Sequence, residues 1–267
     1  MKLAYYTKNP CDLQDPSIEE MFSSLRAGGC DCYEVMPQAG LAPGTDVLVS
    51  IGGDGTFLSA SHIAAMTGVP VLGVNRGRLG FLSDIKPGSV AQLLLQGGGR
   101  VEARTMLLAV YGKEQPLIAL NEVSVTRVGT GILGIDVCLD GQPLPTYWAD
   151  GLLVSTSSGS TAYSLSAGGP ICLPDSKVLI ITPIAPHNLN VRPLVVPESS
   201  EVEISFKSRD SMVALSADTS RMMVPASVRV GVRSVPDALK ILNAGKSGFI
   251  EALSGKLFWG EDIRNAK

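Results

Sequence analysis

The sequence has no hydrophobic run long enough to cross a bilayer and no run of basic residues. A membrane-spanning helix needs about 20 apolar residues in succession, and no segment approaches that length. The 22 basic and 25 acidic residues give a net charge of −3, so we expect neither a nucleic-acid partner nor a membrane partner. The start, MKLAYYTKNP, has one lysine followed by an apolar segment that is too short for a signal peptide. We therefore expect a cytoplasmic protein.

Cysteine and histidine are too few and too scattered for a metal cluster. Of the five cysteines only Cys30 and Cys32 are neighbours, and the single residue between them is not the spacing of a zinc site. The two histidines, His62 and His187, lie far apart in the chain, and we expect both to be structural. The sequence therefore predicts reduced, mostly buried thiols and no metal site formed by protein side chains alone.

The chain is long and apolar enough for a substantial folded core. It has 267 residues, 45% of them hydrophobic, which fits one large domain or two small ones. In the first hundred residues, strand patterns alternate with helix patterns. The predicted strands are 3–7, 32–36, 46–51 and 69–75, and the predicted helices are 17–29, with Ser17 as the N-cap, 56–66 and 89–96. Strands that are apolar on both faces and separated by helices predict an α/β domain with a parallel sheet.

The pattern changes after Gly97-Gly98-Gly99, where short alternating segments recur with turns between them. The predicted strands are 103–111, 116–127, 133–139, 151–157, 177–184, 201–207, 212–218 and 227–233, with a hairpin turn at Asp140-Gly141. Such regular short strands are typical of a β-sandwich-like domain. We therefore predict an α/β domain over 1–99, a β-rich domain over 100–243, and a C-terminal segment, 244–267, whose helix (247–259) returns to the first domain.

A glycine-rich loop with one acid follows the predicted strand at 46–51. The loop reads Gly52-Gly53-Asp54-Gly55-Thr56, and it opens the next helix at the carboxyl end of a parallel strand, where ligands bind. Glycines allow close approach of a ligand, and a helix N-terminus favours anions, so we predict a phosphate site. The chain has neither GxxxxGK[ST] nor GxGxxG. Three roles for Asp54 remain open: binding Mg²⁺, accepting a proton, or capping the helix.

A second segment, 148–171, is rich in hydroxyls and glycines. It contains no GxSxG motif, and the nearest lysine, Lys177, is poorly placed to activate a serine. We therefore predict that these hydroxyls bind a ligand by hydrogen bonds and that none of them is the nucleophile of a serine hydrolase.

Together these motifs resemble the NAD kinase family over almost the whole chain. The matching segments are Gly52–Thr56, Asn75–Leu82, Asn121-Glu122, Asp150-Gly151, Gly159–Ser164, Ala167–Pro170 and Lys256–Gly260. The resemblance implies transfer of the γ-phosphoryl group of ATP, or of polyphosphate, to the 2′-hydroxyl of the adenosine ribose of NAD, with Mg²⁺ or another divalent cation. It also implies NAD between an α/β and a β-rich domain, and a homodimer or homotetramer.

The resemblance assigns roles to individual positions. Asp54 corresponds to the catalytic base, and the ATP phosphates would lie at Gly52, Gly53, Gly55 and Thr56. The implied NAD-binding residues are Asp54, Gly55, Phe81, Asn121, Glu122, Asp150, Ser158, Thr161, Ala162, Tyr163 and Ser166. Two departures stand out: residues 156–159 read Thr-Ser-Ser-Gly where many members have Thr-Pro-Thr-Gly, which removes a proline restraint, and 217–219 read Ala-Asp-Thr where many have Asp-Gly, which leaves the role of Asp218 open.

Structural explanations stand beside these assignments. Asn121 could satisfy a strand end, Tyr163 could be core and Asp150 could form a turn, whereas a buried Glu122 would be costly without a function. Arg76 and Arg78 could be solvated or could bind an anion. Two other functions remain open. A lipid or sugar kinase would share the glycine loop but need a different acceptor pocket, and a non-catalytic NAD sensor would bind NAD without forming NADP.

Overall fold

The computed structural model describes residues 1–75, 80–83, 85–243 and 249–257, and of Lys256 only the backbone. The strands are β1 Lys2–Tyr6, β2 Asp31–Glu34, β3 Val47–Ile51, β4 Pro70–Val74, β5 Arg100–Tyr111, β6 Leu117–Ala119, β7 Glu122–Thr126, β8 Leu133–Leu139, β9 Gln142–Pro143, β10 Tyr147–Ala149, β11 Gly151–Thr156, β12 Val178–Ile184, β13 Leu194–Pro197, β14 Val202–Lys207, β15 Met212–Ala217, β16 Ser220–Pro225 and β17 Val230–Asn243. The α-helices are α1 Pro16–Ala27, α2 Asp54–Ala64, α3 Pro87–Leu95, α4 Tyr163–Ser166 and α5 Phe249–Leu257, and 3-10 turns occupy Pro10–Gln14 and Ser158–Thr161.

The chain divides into two compact units. The first comprises Met1–Ala103 together with the residues from Ala238 onward, and the second is Arg104–Asp237. Helix α5 thus belongs to the first unit, where Leu253 is fully buried. None of the described helices has both the length and the hydrophobicity needed to cross a membrane.

The first unit is built on a parallel sheet. Strands β2, β1, β3 and β4 are neighbours in that order, and the end of β17 pairs with β4 in parallel through Lys240 and Pro70. Every residue of β3 is buried, as expected for a strand covered on both faces. The α/β prediction is confirmed.

The N-cap of helix α1 lies two residues before the predicted one. Asp15 is the N-cap, and its carboxylate accepts a hydrogen bond from the Ser17 backbone N–H at 2.9 Å. The prediction of Ser17 as N-cap is therefore wrong, because Asp15-Pro16 supplies both a good cap and a proline at the first helical position. The face of α1 directed inward carries Ile18, Met21, Phe22 and Leu25.

The second unit is β-rich, as predicted. An antiparallel sheet has the strand order β13-β12-β11-β7-β15-β16, and β10, β8, β14 and the first half of β17 form a further run of antiparallel pairs. Aliphatic side chains from both groups of strands share one core. Among them are Val123, Leu152, Val154, Leu179 and Ile181 from the first group and Leu133, Ile135, Val137, Val202 and Ile204 from the second. Each such buried side chain contributes about 1.5–3 kcal/mol to the free energy of unfolding.

Several strand boundaries differ from the predictions. The segment 116–127 forms two strands, β6 and β7, because the chain turns at Leu120-Asn121. Strand β17 continues ten residues beyond the predicted end at 233, to Asn243. Asp140 and Gly141 both have positive φ, 49° and 78°, so the predicted hairpin turn between β8 and β9 is confirmed. Helix α5 covers 249–257, and the rest of its predicted span lies outside the described residues.

Candidate active site

The glycine loop of the first unit leads from β3 directly into α2. Gly52 has φ +146°, a conformation that favours glycine, and a Cβ there would lie 2.5 Å from the Thr56 hydroxyl. Gly53 and Gly55 are exposed, and a Cβ at either would meet nothing within 4 Å. Gly53 is the N-cap of α2 and provides no side-chain hydrogen bond. The loop therefore presents a helix N-terminus with open space above it, which suits a phosphate group.

Asp54 is the first residue of α2, and its carboxylate binds a neighbouring loop. Its Oδ2 accepts the Phe81 N–H at 3.0 Å, and its Oδ1 accepts the Leu82 and Ser83 N–H groups at 3.1 and 3.2 Å. Gly80 makes this approach possible, since a Cβ there would lie 2.1 Å from the Asp54 Oδ1. The capping role considered for Asp54 is therefore wrong, because Gly53 holds that position. Three backbone donors hold the carboxylate in one orientation.

Phe81 links this loop to the C-terminal helix. Its ring is 6.0 Å from that of Phe249 in α5, with a tilt of 48° between the ring planes. Asn75 closes the same loop by donating its side-chain N–H to the Ser83 carbonyl at 3.2 Å. The structure thus brings together Asp54, Phe81 and the glycine loop within the first unit. Arg76 and Arg78 lie outside the described residues.

In the second unit, Asn121 is packed against the turn that follows β11. A Cβ at Gly159 would lie only 2.1 Å from the Asn121 carbonyl oxygen, so the turn needs glycine at this position. Thr156 joins the two segments: its backbone N–H donates to the Asn121 carbonyl at 2.9 Å, and its hydroxyl donates to the Leu120 carbonyl at 2.6 Å. The same hydroxyl accepts the Gly159 N–H at 3.0 Å. Thr156 lay within the motif, but its sequence context did not reveal this role.

Glu122 lies on the face of its sheet opposite the aliphatic core. It is directly opposite Ser155 in the β7–β11 ladder, and Ser124 and Ser216 share the same face. Its Oε2 is buried and has no hydrogen-bond partner among the described residues. Burial raises the pKa of Glu122 from 4.5 to about 7; the charge of Asp218 acts in the same direction, and a hydrogen bond from the Tyr163 backbone N–H opposes both. Such a costly group is typical of a functional site.

Asp218, whose role the sequence left open, anchors the backbone that carries Asn121 and Glu122. Its Oδ2 accepts the Leu120 N–H at 2.7 Å, and its Oδ1 accepts the N–H groups of Asn121 at 2.9 Å and Glu122 at 3.2 Å. The Asp218 N–H in turn donates to the Glu122 carbonyl at 3.0 Å.

Two serines attach the turn after β11 to the segment around Cys172. The Ser157 hydroxyl donates to the Pro174 carbonyl at 3.0 Å, and the Ser160 hydroxyl donates to the Cys172 carbonyl at 3.1 Å. Where many family members have proline, Ser157 has φ −58°, the value a proline would impose. The restraint that the sequence lacks is thus replaced by a hydrogen bond.

Asp150 lies at the far end of β11 from this cluster. In the β7–β11 ladder, Gly151 pairs with Thr126 at one end, while Ser155 pairs with Glu122 at the other. Asp150 forms a two-point ion pair with Arg127, at 2.7 and 3.2 Å, and hydrogen bonding from Arg127 lowers the pKa of Asp150. The structure therefore does not place Asp150 beside Asn121, and sequence reasoning missed Arg127, which carries no motif.

The remaining predicted NAD-binding residues follow Gly159 closely. Ser158 and Thr161 bound a 3-10 turn, Ala162 links it to α4, and Ser166 ends α4 at an exposed position. Tyr163 is 42% exposed, so the explanation of Tyr163 as a core residue is wrong. An exposed aromatic ring beside buried polar groups is available to a ligand.

No group of three or more His, Cys, Asp or Glu side chains that could hold a metal ion occurs within the described ranges. A divalent cation bound mainly by substrate phosphates and one carboxylate needs no such group. Asp54, a hard oxygen donor at the glycine loop, suits that role.

A parallel sheet with an anion-binding glycine loop, joined to a β-rich unit with a buried acid and a hydroxyl-rich turn, defines a two-domain nucleotide kinase. Residues 38–96 match the model of the ATP-NAD kinase N-terminal domain, and residues 120–244 match that of the ATP-NAD kinase C-terminal domain. The chain belongs to the NAD kinase family.

Curated relatives agree with this assignment. An NAD kinase of Flavobacterium psychrophilum is 39% identical over 82% of this chain and 78% of its own length. An NAD kinase of Flavobacterium johnsoniae is 33% identical over 99% of this chain and all of its own. The solved yeast NADH kinase, complexed with NADH, superposes with a TM-score of 0.87 at 26% identity, covering all of this chain and 90% of that one. The Archaeoglobus fulgidus NAD kinase, in complex with ATP, shares the fold, with a TM-score of 0.79 at 23% identity over 97% and 99% of the two chains.

Proposed function

We propose that this protein transfers the γ-phosphoryl group of ATP to the 2′-hydroxyl of the adenosine ribose of NAD, forming NADP and ADP. The observation that carries the proposal is the fixed carboxylate of Asp54 at the entrance of the open glycine loop. A phosphate-binding site and a base are thereby supplied by adjacent residues of one loop. Family membership supports the choice of NAD as the acceptor.

In this proposal Asp54 orients the 2′-hydroxyl and accepts its proton. The ribose oxygen forms a bond to the γ-phosphorus while the bond from that phosphorus to the β–γ bridging oxygen breaks, and ADP leaves. A positioned base of this kind accelerates transfer by about 10²- to 10⁴-fold. The three backbone donors from residues 81–83 support this role because they prevent the carboxylate from rotating away.

The loop amides and the N-terminus of α2 bind the phosphates. Gly53 and Gly55 leave the necessary room, since neither has an atom within 4 Å of where a Cβ would be. A divalent cation, proposed to be Mg²⁺ carried by ATP, would neutralise charge on the transferred group. Asp54 is the residue proposed to contact it.

The second unit binds NAD through its buried polar face. We propose that Asn121 and Glu122 hold the ribose, and that Thr161, Ala162 and Tyr163 contact the adenosine, with Ser158 and Ser166 nearby. The unpartnered Oε2 of Glu122 and the exposed ring of Tyr163 support this assignment. Asp150 would reach a different part of the dinucleotide, because it lies at the other end of β11.

The test is NADP formation by the purified protein with NAD, ATP and Mg²⁺, followed through an NADP-specific dehydrogenase. We expect Asp54→Asn to lower kcat by at least about 100-fold, while the Kd for NAD stays within about threefold of wild type. Asp15→Asn is the matched control, since Asp15 is also a carboxylate at a helix start in the same unit. It should leave kcat unchanged.

The same assay separates the other functions. A non-catalytic sensor would bind NAD and form no NADP, and a lipid or sugar kinase would consume ATP only with another acceptor. Turnover of Asp54→Asn close to wild type would refute the role of Asp54. Replacing NAD by NADH and ATP by polyphosphate in the same assay determines acceptor and donor choice.

We also propose a homodimer or homotetramer. The outer strands of the antiparallel sheet expose apolar side chains, Leu194 and Val195 on β13 and Met223 on β16. Light scattering would detect the assembly, and a monomeric mass at assay concentrations would contradict it.

A further inference from the structure

Asp218 uses its carboxylate in the same way as Asp54 does, but against the protein's own NAD-binding segment. Each carboxylate accepts the N–H groups of three consecutive residues, 81–83 for Asp54 and 120–122 for Asp218. Asp218 adopts φ 48°, a left-handed conformation, in the turn between β15 and β16. This conformation is uncommon outside glycine, although aspartate tolerates it better than most residues do.

Two of the three N–H groups belong to residues outside any strand, and the third belongs to Glu122, the first residue of β7. Leu120 and Asn121 lie between β6 and β7, where the ladder is interrupted, and both are buried. A buried backbone N–H without an acceptor costs about 1–3 kcal/mol, so the carboxylate determines the local path of the chain. The side chains of Asn121 and Glu122 project from the backbone that Asp218 holds.

The same carboxylate also acts on the ionisation of Glu122. Among the described residues near Glu122, the β15–β16 turn provides the charge of Asp218, β11 provides the neutral Ser155, and α4 provides the Tyr163 backbone N–H. Within the described chain, Asp218 is thus the charge that acts on Glu122, and like charges disfavour ionisation. With Oε2 buried and unpartnered and a pKa of about 7, Glu122 keeps its proton at pH values where an exposed glutamate has lost it.

We propose that Asp218 is a positioning residue for the dinucleotide: its carboxylate holds the backbone of Asn121 and Glu122 in place, and it sets a negative charge near the Glu122 side chain. This inference rests on the proposed function only for the identity of the ligand, NAD. A neutral Glu122 can donate a hydrogen bond to a ribose oxygen and does not repel the NAD diphosphate.

The decisive variant is Asp218→Asn, which removes the charge and leaves one acceptor oxygen. NMR of ¹³C-labelled glutamate in the nucleotide-free protein measures the Glu122 titration directly. We expect a midpoint near 7 in wild type and a midpoint lower by about 0.5 to 1 pH unit in Asp218→Asn. The pH at which NAD affinity changes should fall by the same amount. At pH 7 the KM for NAD should rise about tenfold, with kcat within about threefold, because the loss is in binding.

Asp140→Asn is the matched control. Asp140 also has positive φ in a turn of the second unit, and its Oδ1 accepts the Glu201 N–H at 2.7 Å. Because Asp140 does not contact Glu122, its replacement should leave the Glu122 midpoint, the KM for NAD and kcat unchanged. If the charge of Asp218 did not act on Glu122, the Glu122 midpoint would be the same in Asp218→Asn as in Asp140→Asn.

A second experiment applies even if Asp218→Asn does not fold. The single variant Glu122→Gln keeps Asp218. Its NAD affinity should not change with pH around pH 7, whereas that of the wild type should. Stability should also depend on pH, because the folded chain binds the proton of the Glu122 carboxyl group more tightly than the unfolded chain does. On account of Glu122, the free energy of unfolding should therefore fall as pH rises from about 4.5 to about 7, and it should not do so in Glu122→Gln.

The inference is overturned if Glu122 of the wild type titrates near 4.5, or if its midpoint is the same in Asp218→Asn. Failure of the proposed function looks different. In that case the wild type would form no NADP, while the Glu122 titration and its shift in Asp218→Asn would still be observed.

Discussion

The two glycine-rich segments of this protein use glycine for opposite purposes. In the loop after β3, Gly53 and Gly55 face open space, and an added Cβ would touch nothing within 4 Å. In the turn after β11, Gly159 is buried, and an added Cβ would overlap the Asn121 carbonyl at 2.1 Å. The first pair leaves room for a ligand, whereas Gly159 leaves room for the protein's own backbone.

The comparison explains why glycine content alone does not identify a ligand site. Both segments lead from a strand into a helical segment and both contain hydroxyl residues, so they are alike in sequence. They differ in the neighbours that the fold supplies. Alanine in the turn after β11 should therefore lower stability. Alanine in the loop after β3 should instead weaken phosphate binding.

Gly159→Ala should have the largest effect. The methyl group would force the turn away from Asn121 and weaken the Thr156 hydroxyl contacts, at a cost of at least about 2 kcal/mol in the free energy of unfolding. Urea unfolding measures this loss, and NAD affinity should fall with it. A stability within experimental error of wild type would show that the close approach is not required.

Gly53→Ala should have an intermediate effect, mainly on the binding of ATP, the phosphoryl donor. Its φ of −88° and ψ of −174° suit alanine, and the new methyl group meets no protein atom, so the loss of stability should be limited to the N-cap preference for glycine over alanine, about 1 kcal/mol. The methyl group would stand where we propose that phosphate binds, and the KM for ATP should rise several-fold with little change in that for NAD. Steady-state kinetics with each substrate varied would measure this. An unchanged KM for ATP would place the phosphates elsewhere.

Ser157→Pro should have the smallest effect. The variant loses the hydrogen bond to the Pro174 carbonyl, but proline fits the existing φ of −58° and reduces the entropy of the unfolded chain. We expect the lost hydrogen bond and the lower entropy of the unfolded chain to cancel to within about 1 kcal/mol in the free energy of unfolding, with kcat unchanged. Thermal unfolding measures the balance, and a large loss would mean that the Ser157 hydroxyl restrains the turn more than a fixed φ does.

The alternating pattern of the first hundred residues predicted the parallel sheet, because buried parallel strands leave a continuous apolar signature such as Val47–Ile51. Motif spacing also led correctly to the family. The local pattern failed where tertiary partners decide. The prediction of Ser17 as the cap is wrong for another reason, since the local sequence Asp15-Pro16 already marks the start of the helix. Arg127 was missed because its partner, Asp150, is adjacent only through strand pairing.

By itself the sequence determined the fold class, the family and the residue types available for chemistry, since these follow from local periodicity and from motifs that are continuous in the chain. Only the tertiary structure decided what the two aspartates do. Asp54 binds residues 81–83 and Asp218 binds residues 120–122, partners that are 27 to 29 and 96 to 98 positions away. Hydrogen bonds between such distant residues depend on how the strands are ordered and registered, and no local pattern records that order.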